Sequence, residues 1–598
     1  MIGKGRIANQ TISQANATIS SLLGALQGLE NELDRAVTLN AAVVANEIRD
    51  NMVLELLKPA NMDASTRQLC FDGTRVEIRK HLIDRLSQPN HSPHCEVIWL
   101  LGLAGSGKST LVNSIAEHFR ALRQCGAFVF FDRGDPVNSD PSRVIPTLAY
   151  HLAQFSLPFA KALEEQIHAR RDIVRSSLAA QFQMLLEKPS EAVAGLIHHS
   201  PIIIVIDGLD ECGTESSRRD LLEVFSKRIQ KLPPAFRVLV ASRDESDIRS
   251  AFSPPSINVE HVDLRTDDSV TADDIAEYFR QRLASTAKRY NLSSDWPGPD
   301  IITQLSQCAG GLFIWASTAV GFIEGGLLPE DQLPIILNIS TRGESLTNLH
   351  ELYRVTLAEQ FRSVRDNGLE VLRRVLGAIV VARERLTDEV LSRLLGLELP
   401  KVQRILSRLH SLLQWSPGKP IIVLHASFPD FLGDPGQCED RRWYIDMPAH
   451  HRGLATACFG IMRDGLRFNI CGLETSYYKN KAIEGIEKLI DRNITADLMY
   501  CCQYWAAHLD SGVTGGLGSG GFCDEIRFFL GERFLFWLEV FSLKDRLHTV
   551  STILGTAANW CEVWQSEFMG NKQSKAHFPR NRSTIQSWES TFWMRRDL

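Results

Sequence analysis

The chain has 598 residues, of which 44% are hydrophobic and 23% charged, and a formal net charge of −6. That length implies several domains, and that composition excludes a disordered, collagenous or disulfide-stapled chain. So small a net charge leaves no global electrostatic footprint for nucleic acid, and none is expected as a partner. Twelve cysteines are scattered without a C-x-x-C pair, as expected of reduced thiols. His91, His94 and Cys95 lie close together, but no second group at ligand spacing completes a zinc set. The opening MIGKGRIANQTISQ is polar and has no apolar signal core, so a cytoplasmic location is expected.

Residues 11–45 carry a heptad. Ile12, Ile19, Leu26 and Leu33 recur every seven positions, with Ala15, Leu22, Leu29, Ala36 and Val43 on the second seam. This predicts a helix that pairs with another copy, with a partner protein, or with a bundle of its own chain. Lys58-Pro59 ends it, and residues 58–69 read as a linker. Cys70–Arg75 (CFDGTR) precedes an amphipathic helix over Val76–Leu86 and a polar loop over Ser87–His94.

Then comes the most informative stretch, Val97–Leu111, VIWLLGLAGSGKSTL. Five apolar residues predict a buried strand, and a helix follows from Leu111 to about Arg123. Between them Gly102, Gly105, Ser106, Gly107, Lys108, Ser109 and Thr110 form the phosphate-loop pattern in its strand–loop–helix context. Glycines let successive N–H groups curl around a phosphate chain, and the helix N-terminus adds partial positive charge. Lys108 is expected to reach the β- and γ-phosphates, and the Ser109 hydroxyl to bind Mg²⁺.

Further apolar runs predict strands at Ala127–Phe131, Ile202–Ile206, Arg237–Ala241 and Asn258–Val262. Helices are predicted from Arg143 to about Leu196 and over Ser217–Gln230. The alternation predicts an α/β nucleotide-binding domain with a doubly wound, mostly parallel sheet. The strand at 202–206 ends in Asp207-Gly208-Leu209-Asp210-Glu211. Asp207 is the expected Mg²⁺ partner at the carboxyl end of the sheet. Asp210 or Glu211 would orient or deprotonate an attacking water. The next strand ends in Ser242-Arg243, which aims Arg243 at a γ-phosphate as a charge sensor.

Gly310–Leu328 is nearly apolar over 19 residues. Glu324 and four glycines interrupt it and no basic cluster flanks it, so a buried helix is predicted and no membrane span. Ala496–Leu509 and Phe534–Leu543 predict further helices whose aromatic residues form core. Gly512–Gly521 reads as a glycine-rich loop. The tail from Gly570 is polar and basic, without a period, and no 30–45-residue repeat is present.

CFDGTR, WLLGLAGSGKSTL, IIIVIDGLDEC, VLVASRDESDI and CAGGLFIWAS, in this order, resemble the NACHT family of STAND-type NTPases, in particular its fungal members. The resemblance covers about residues 60–560. It implies a helical segment (1–57), a nucleotide-binding domain (58–265), a first helical domain (266–350), a winged-helix domain (351–435), a second helical domain (436–568) and a disordered basic tail (569–598). It places Thr74 and Arg75 at the adenine pocket and Phe313 near the base, where related ATPases carry proline. His425, in VLHASFPDFL, would contact the β-phosphate of ADP; Ala426 replaces the family's usual aspartate.

The implied function is a regulatory switch that binds and slowly hydrolyses ATP, or alternatively GTP, with Mg²⁺. It would act through partners or self-association of its N-terminal helix, in an NLR-like role in innate immunity, non-self recognition or cell death. The rival reading is an interaction scaffold that holds nucleotide without turning it over.

Overall fold

Residue patterns account directly for the central sheet. Six- and seven-residue runs such as Ile202–Asp207 and Phe236–Ser242 are buried along their whole length, as parallel strands covered on both faces must be. The computed structural model describes residues 54–57, 59–60, 67–88, 94–194, 201–253, 259–264, 269–339, 345–438, 440–474, 480, 483–512 and 520–570. The heptad at 11–45 and the tail beyond residue 570 lie outside them.

Contacts divide the chain into two units: residues up to Thr356 together with His425–Ser427, and Leu357–Leu424 with the residues from Phe428 onward. The first unit begins with α1 (Val76–Ser87). Its sheet comprises β1 (Glu96–Leu101), β2 (Cys125–Phe130), β3 (Ile202–Asp207), β4 (Phe236–Ser242) and β5 (Val259–Asp263), in the order β2-β3-β4-β1-β5. Every pairing is parallel. This is the parallel-sheet fold of a P-loop NTPase.

Alternate strand residues serve opposite layers. Val97, Trp99, Ile204, Ile206, Val238 and Val240 join one core, while Ile98, Leu100, Ile203, Val205 and Leu239 join the other. The second core packs under α2 (Lys108–Ala121), whose Leu111, Val112, Ile115 and Phe119 are fully buried. Because the sheet is parallel, the loops after β1, β3 and β4 leave from one edge, where ligands of open α/β sheets bind.

The stretch from Arg143 is not one helix. It breaks at Ser156, which separates α3 (Val144–Phe155) from α4 (Leu157–Ala169) with Pro158 in the first turn of the latter. A π turn at Gln183–Glu187 marks a further irregularity. Beyond the sheet the unit is helical: α5 (Glu215–Arg228), α6 (Ser246–Phe252), α7 (Ser269–Tyr290), α8 (Pro299–Ala309), α9 (Phe313–Gly325) and α10 (Pro329–Leu337). Helix α11 (Ser345–Gln360) follows. The apolar run at 310–328 forms α9, whose Trp315, Ala316, Ala319, Val320, Phe322 and Ile323 are fully buried. Among the described residues no helix is long and apolar enough to cross a membrane.

The second unit is rich in helices and carries a two-stranded antiparallel ladder, β6 (Leu413–Gln414) with β7 (Ile422–Val423). Its core lies around α12 (Met447–Gly465), α13 (Ala496–Ser511) and α14 (Phe534–Leu543), where Phe459, Trp505, Phe529 and Trp537 pack edge to face or tilted. A polar chain runs through this core. The Arg383 N–H donates to the Tyr500 hydroxyl, which lies 2.8 Å from His508 Nε2, and His508 Nδ1 lies 2.8 Å from His451 Nδ1.

The Nδ1–Nδ1 contact needs a lone pair on one ring, so the pair cannot hold protons on both nitrogens. Burial, with Arg383 and His450 nearby, lowers His451 to about 4, and burial, with His451 and Arg383 nearby, lowers His508 to about 2. A histidine held neutral in the fold stabilises fully above its unfolded value and loses that contribution as pH falls below it. From about pH 6.5 down to pH 5, fully buried His508 should cost this unit on the order of 2 kcal/mol. Pulse proteolysis of the whole chain in a urea series, read at peptides from 447–511, should show the midpoint dropping between pH 7.5 and pH 5. Equal midpoints would mean that the pair does not depend on neutrality.

Candidate functional site

The loop after β1 is shaped by backbone that only glycine adopts freely. Gly105 has φ +81° and Gly107 φ +93°. A Cβ on Gly105 would stand 2.0 Å from Ile314 Cγ2, so no larger residue fits there. The loop is pinned from outside as well. The Gly105 carbonyl accepts the Ile314 N–H in the first turn of α9 at 3.1 Å, and Phe313 lies beside Gly107. Arg75 takes the left-handed conformation just before α1, at φ +55°. Its backbone N–H donates to Asp274 Oδ1, while its guanidinium donates to Thr271 Oγ1 and to the Ser106 carbonyl. Arg75 therefore straps the loop to α7.

Aromatic rings gather at that strap. The Arg75 guanidinium stands 5.0 Å from the Phe313 ring centre, and Phe313, Tyr278 and Phe71 form a series of edge contacts. Thr74 is buried, and its hydroxyl donates to the Phe71 carbonyl. A cavity of about 260 Å³ is lined by Arg75, Ile78, Leu264, Thr271 and Asp274, among others.

Lys108 Nζ donates to the Gly102 and Leu103 carbonyls, each at 2.8 Å. Burial lowers its pKa, against Asp210 and Asp207, which favour the charged form. The Ser106 hydroxyl is buried with no hydrogen-bond partner among the described residues. Thr110 lies one position beyond Ser109 in the first turn of α2. A loop that presents unsatisfied donors, a lysine and a helix N-terminus fits a phosphate chain.

The carboxyl end of β3 brings the acidic residues, and that of β4 brings Arg243, to the same edge. Asp207 Oδ1 accepts the Ser109 hydroxyl at 3.1 Å, and its Oδ2 pairs with the Arg67 guanidinium, which also lies 3.9 Å from the Phe130 ring centre. Two hard oxygen donors, with a carboxylate that already holds a cation, fit Mg²⁺. Asp210, only 4% exposed, is fully engaged. It accepts the Arg243 backbone N–H at 3.0 Å on Oδ1 and pairs with Arg243 Nε on Oδ2, while its own carbonyl accepts Arg218. Arg218 in turn holds Asp247 of the SRDESDI segment.

Glu211 differs from its neighbour. Among the described residues its carboxylate accepts a long contact, 3.4 Å, from the Arg133 N–H, and burial together with Asp210, Asp132 and Asp207 outweighs the Arg133 charge and pushes it up to about 7. His425 completes the cluster. Its ring edge faces Gly105, at 3.6 Å from the position a Cβ would take there, and burial with Arg243 and Lys108 nearby lowers its pKa to about 3. The structure thus gathers Gly102–Thr110, Asp207, Asp210, Glu211, Arg243 and His425, with Arg75 and Phe313 at one flank. Sequence reasoning missed Arg67, Arg218 and Arg133. Only Arg218 had a signal, as an arginine one helical turn into the helix that follows the acidic cluster.

Residues 79–243 match a family model described as nephrocystin 3, N-terminal. No curated protein matches the chain. Among solved structures, a STAND protein with a tetratricopeptide repeat sensor from Pyrococcus horikoshii is 12% identical at a TM-score of 0.37, over 85% of this chain and 66% of that one. This chain spans just under two thirds of that protein. Cdc6p from Pyrobaculum aerophilum is 12% identical at a TM-score of 0.30, over 66% and 98%, and a RuvB variant from Thermotoga maritima is 14% identical at 0.23, over 60% and 94%. The fold rests on sheet order and loop geometry rather than on these scores. The matched family region runs from α1 to Arg243 and takes in the phosphate loop, the acidic end of β3 and the arginine after β4, in keeping with the NACHT-type STAND resemblance of the sequence.

Proposed function

We propose that the chain is a nucleotide-dependent switch that binds ATP or GTP with Mg²⁺, hydrolyses it slowly, and rests with the diphosphate bound. The observation that carries this is the division of labour between Asp210 and Glu211. Asp210 has both oxygens committed to Arg243, so it is a positioning residue for the sensor. Glu211 keeps a carboxylate whose raised pKa suits proton transfer near neutrality. A scaffold without turnover would need no such group.

Lys108, the loop N–H groups and the start of α2 would hold the phosphates, and Ser109 with Asp207 the Mg²⁺. Bound Mg²⁺ supplies charge neutralisation at the phosphates. Glu211 accepts a proton from a water on its carboxylate, Arg243 meets the γ-phosphate, and His425 donates to the terminal phosphate of the diphosphate. Phe313 with the Arg75 strap would enclose the base. The resemblance supports assigning 266–350, 351–435 and 436–568 to helical, winged-helix and helical domains. It also supports a cytoplasmic NLR-like role in immunity, non-self recognition or cell death, and a fungal source. The helix at 11–45 would present the signal by self-association or partner binding.

Lys108→Ala should abolish binding of labelled ATP, and unchanged affinity would remove the phosphate-loop assignment. Glu211→Gln should keep binding and slow single-turnover hydrolysis by at least about tenfold. Asp210→Asn should instead weaken discrimination between tri- and diphosphate, because it releases Arg243; if both substitutions leave turnover and discrimination intact, the scaffold reading gains. Arg67 competes with any cation for Asp207, so Arg67→Ala should lower several-fold the Mg²⁺ concentration that half-saturates ATP binding. A Mg²⁺ titration against a fluorescent ATP analogue reads this, and coincident curves would count against competition.

A further inference from the structure

The imidazole of His425 is held through one nitrogen. Ser427, the first residue of the short helix Ser427–Gly433, donates its backbone N–H to His425 Nδ1 at 3.1 Å. A backbone N–H can only donate, so Nδ1 carries no proton and Nε2 does. The Ser427 hydroxyl lies 2.7 Å from the same Nδ1 and must also donate to it. With its own proton used, Ser427 Oγ is left to accept, and the Tyr353 hydroxyl of α11 stands 2.8 Å away. Both hydroxyl-bearing residues are buried, Tyr353 at 1% and Ser427 at 4% exposure. The direction of every proton along Tyr353–Ser427–His425 is therefore fixed.

We infer that Tyr353 and Ser427 are positioning residues that lock His425 as the Nε2–H tautomer, so that it meets the terminal phosphate of a bound nucleoside diphosphate as a neutral hydrogen-bond donor. This rests on the phosphate-ligand role proposed for His425. Either ring tautomer is accessible to an unconstrained imidazole, and only one leaves a donor on the nitrogen away from Ser427. Lys108 and Arg243, the cations beside the ring, disfavour a doubly protonated imidazole, so the phosphate contact has to come from tautomer choice rather than from charge.

Stopped-flow release of a fluorescent ADP analogue from the full chain, with Mg²⁺ present, tests this. His425→Leu should release about tenfold faster or more. Ser427→Ala should release several-fold faster, Tyr353→Phe about threefold, and Ser427→Thr, which keeps the hydroxyl, like the parent. Adding Ser427→Ala to His425→Leu should bring no further acceleration. If His425→Leu releases like the parent, the phosphate-ligand role fails and the inference goes with it. Fast release in His425→Leu but parental release in both Ser427→Ala and Tyr353→Phe overturns the relay alone. So does equal acceleration in Ser427→Ala and Ser427→Thr, or full additivity in the double variant, since Ser427 would then act only as a helix start. Should Ser427→Ala not fold, Tyr353→Phe and Ser427→Thr still decide.

Discussion

Charge balance at the carboxyl edge of the sheet governs this structure. Asp132, Asp207, Asp210 and Glu211 are brought together by two neighbouring parallel strands, β2 and β3, that end at one level. Two like charges 4 Å apart near a protein surface repel by about 4 kcal/mol, a large part of a domain's net stability. Cations from distant parts of the chain offset this repulsion. Arg67 reaches from before α1 to Asp207, Arg243 from the end of β4 to Asp210, and Arg218 from α5 to the backbone beneath it. Glu211, buried and beside Asp210, Asp132 and Asp207, holds its proton more tightly, with Arg133 opposing. The acid–base character of the site thus comes from burial first and from neighbouring carboxylates second.

The same balance ties the edge to the rest of the first unit. Trp99 in the centre of β1 donates its indole N–H to Ser242, and the Ser242 hydroxyl donates to the Arg243 carbonyl, so the Arg243 backbone is fixed from the sheet core. Arg75 binds the loop to α7, and the Gly105 carbonyl binds it to α9. The phosphate loop is consequently braced by two helices whose sequences lie some 160 to 220 positions downstream. Movement of either helix would change loop geometry directly, which is the coupling a switch requires.

What the sequence disclosed and what it hid follow from the range of the interactions. The strands, the loop and the buried run in α9 were legible because each depends on local pattern: apolar runs, glycine spacing, a lysine before a helix. Helix starts differed by a few residues; α2 begins at Lys108 rather than at Leu111, because the loop's last glycine takes a left-handed conformation and the next residue is already helical. The break at Ser156 was missed, since the apolar periodicity continues across it. Arg67 and Tyr353 could not be found, because an arginine or tyrosine acquires its role only from a partner 140 or 74 positions away in a site that folding assembles. Separating Asp210 from Glu211 also needed coordinates. Adjacent carboxylates look alike in a string, and their difference lies in burial and in which groups surround them once the chain is folded.

In the role proposed for His425, such a site would distinguish nucleotide states without a large rearrangement. A side chain that stands beside Lys108 and Arg243 cannot add a third positive charge cheaply, so burial and its neighbours keep it neutral. A neutral donor to a charged phosphate is still worth about 1.5–3 kcal/mol, whereas the same imidazole in its other tautomer would present a lone pair and repel the phosphate. On the proposed reading, that difference corresponds to roughly ten- to hundredfold in the balance between a state that keeps His425 at the loop and one that does not. On the same reading triphosphate would engage Arg243, and diphosphate would leave His425 as the terminal contact. The two ligands then favour different arrangements of one cluster through contacts that each makes and the other lacks, which is the only way a nucleotide can move such an equilibrium.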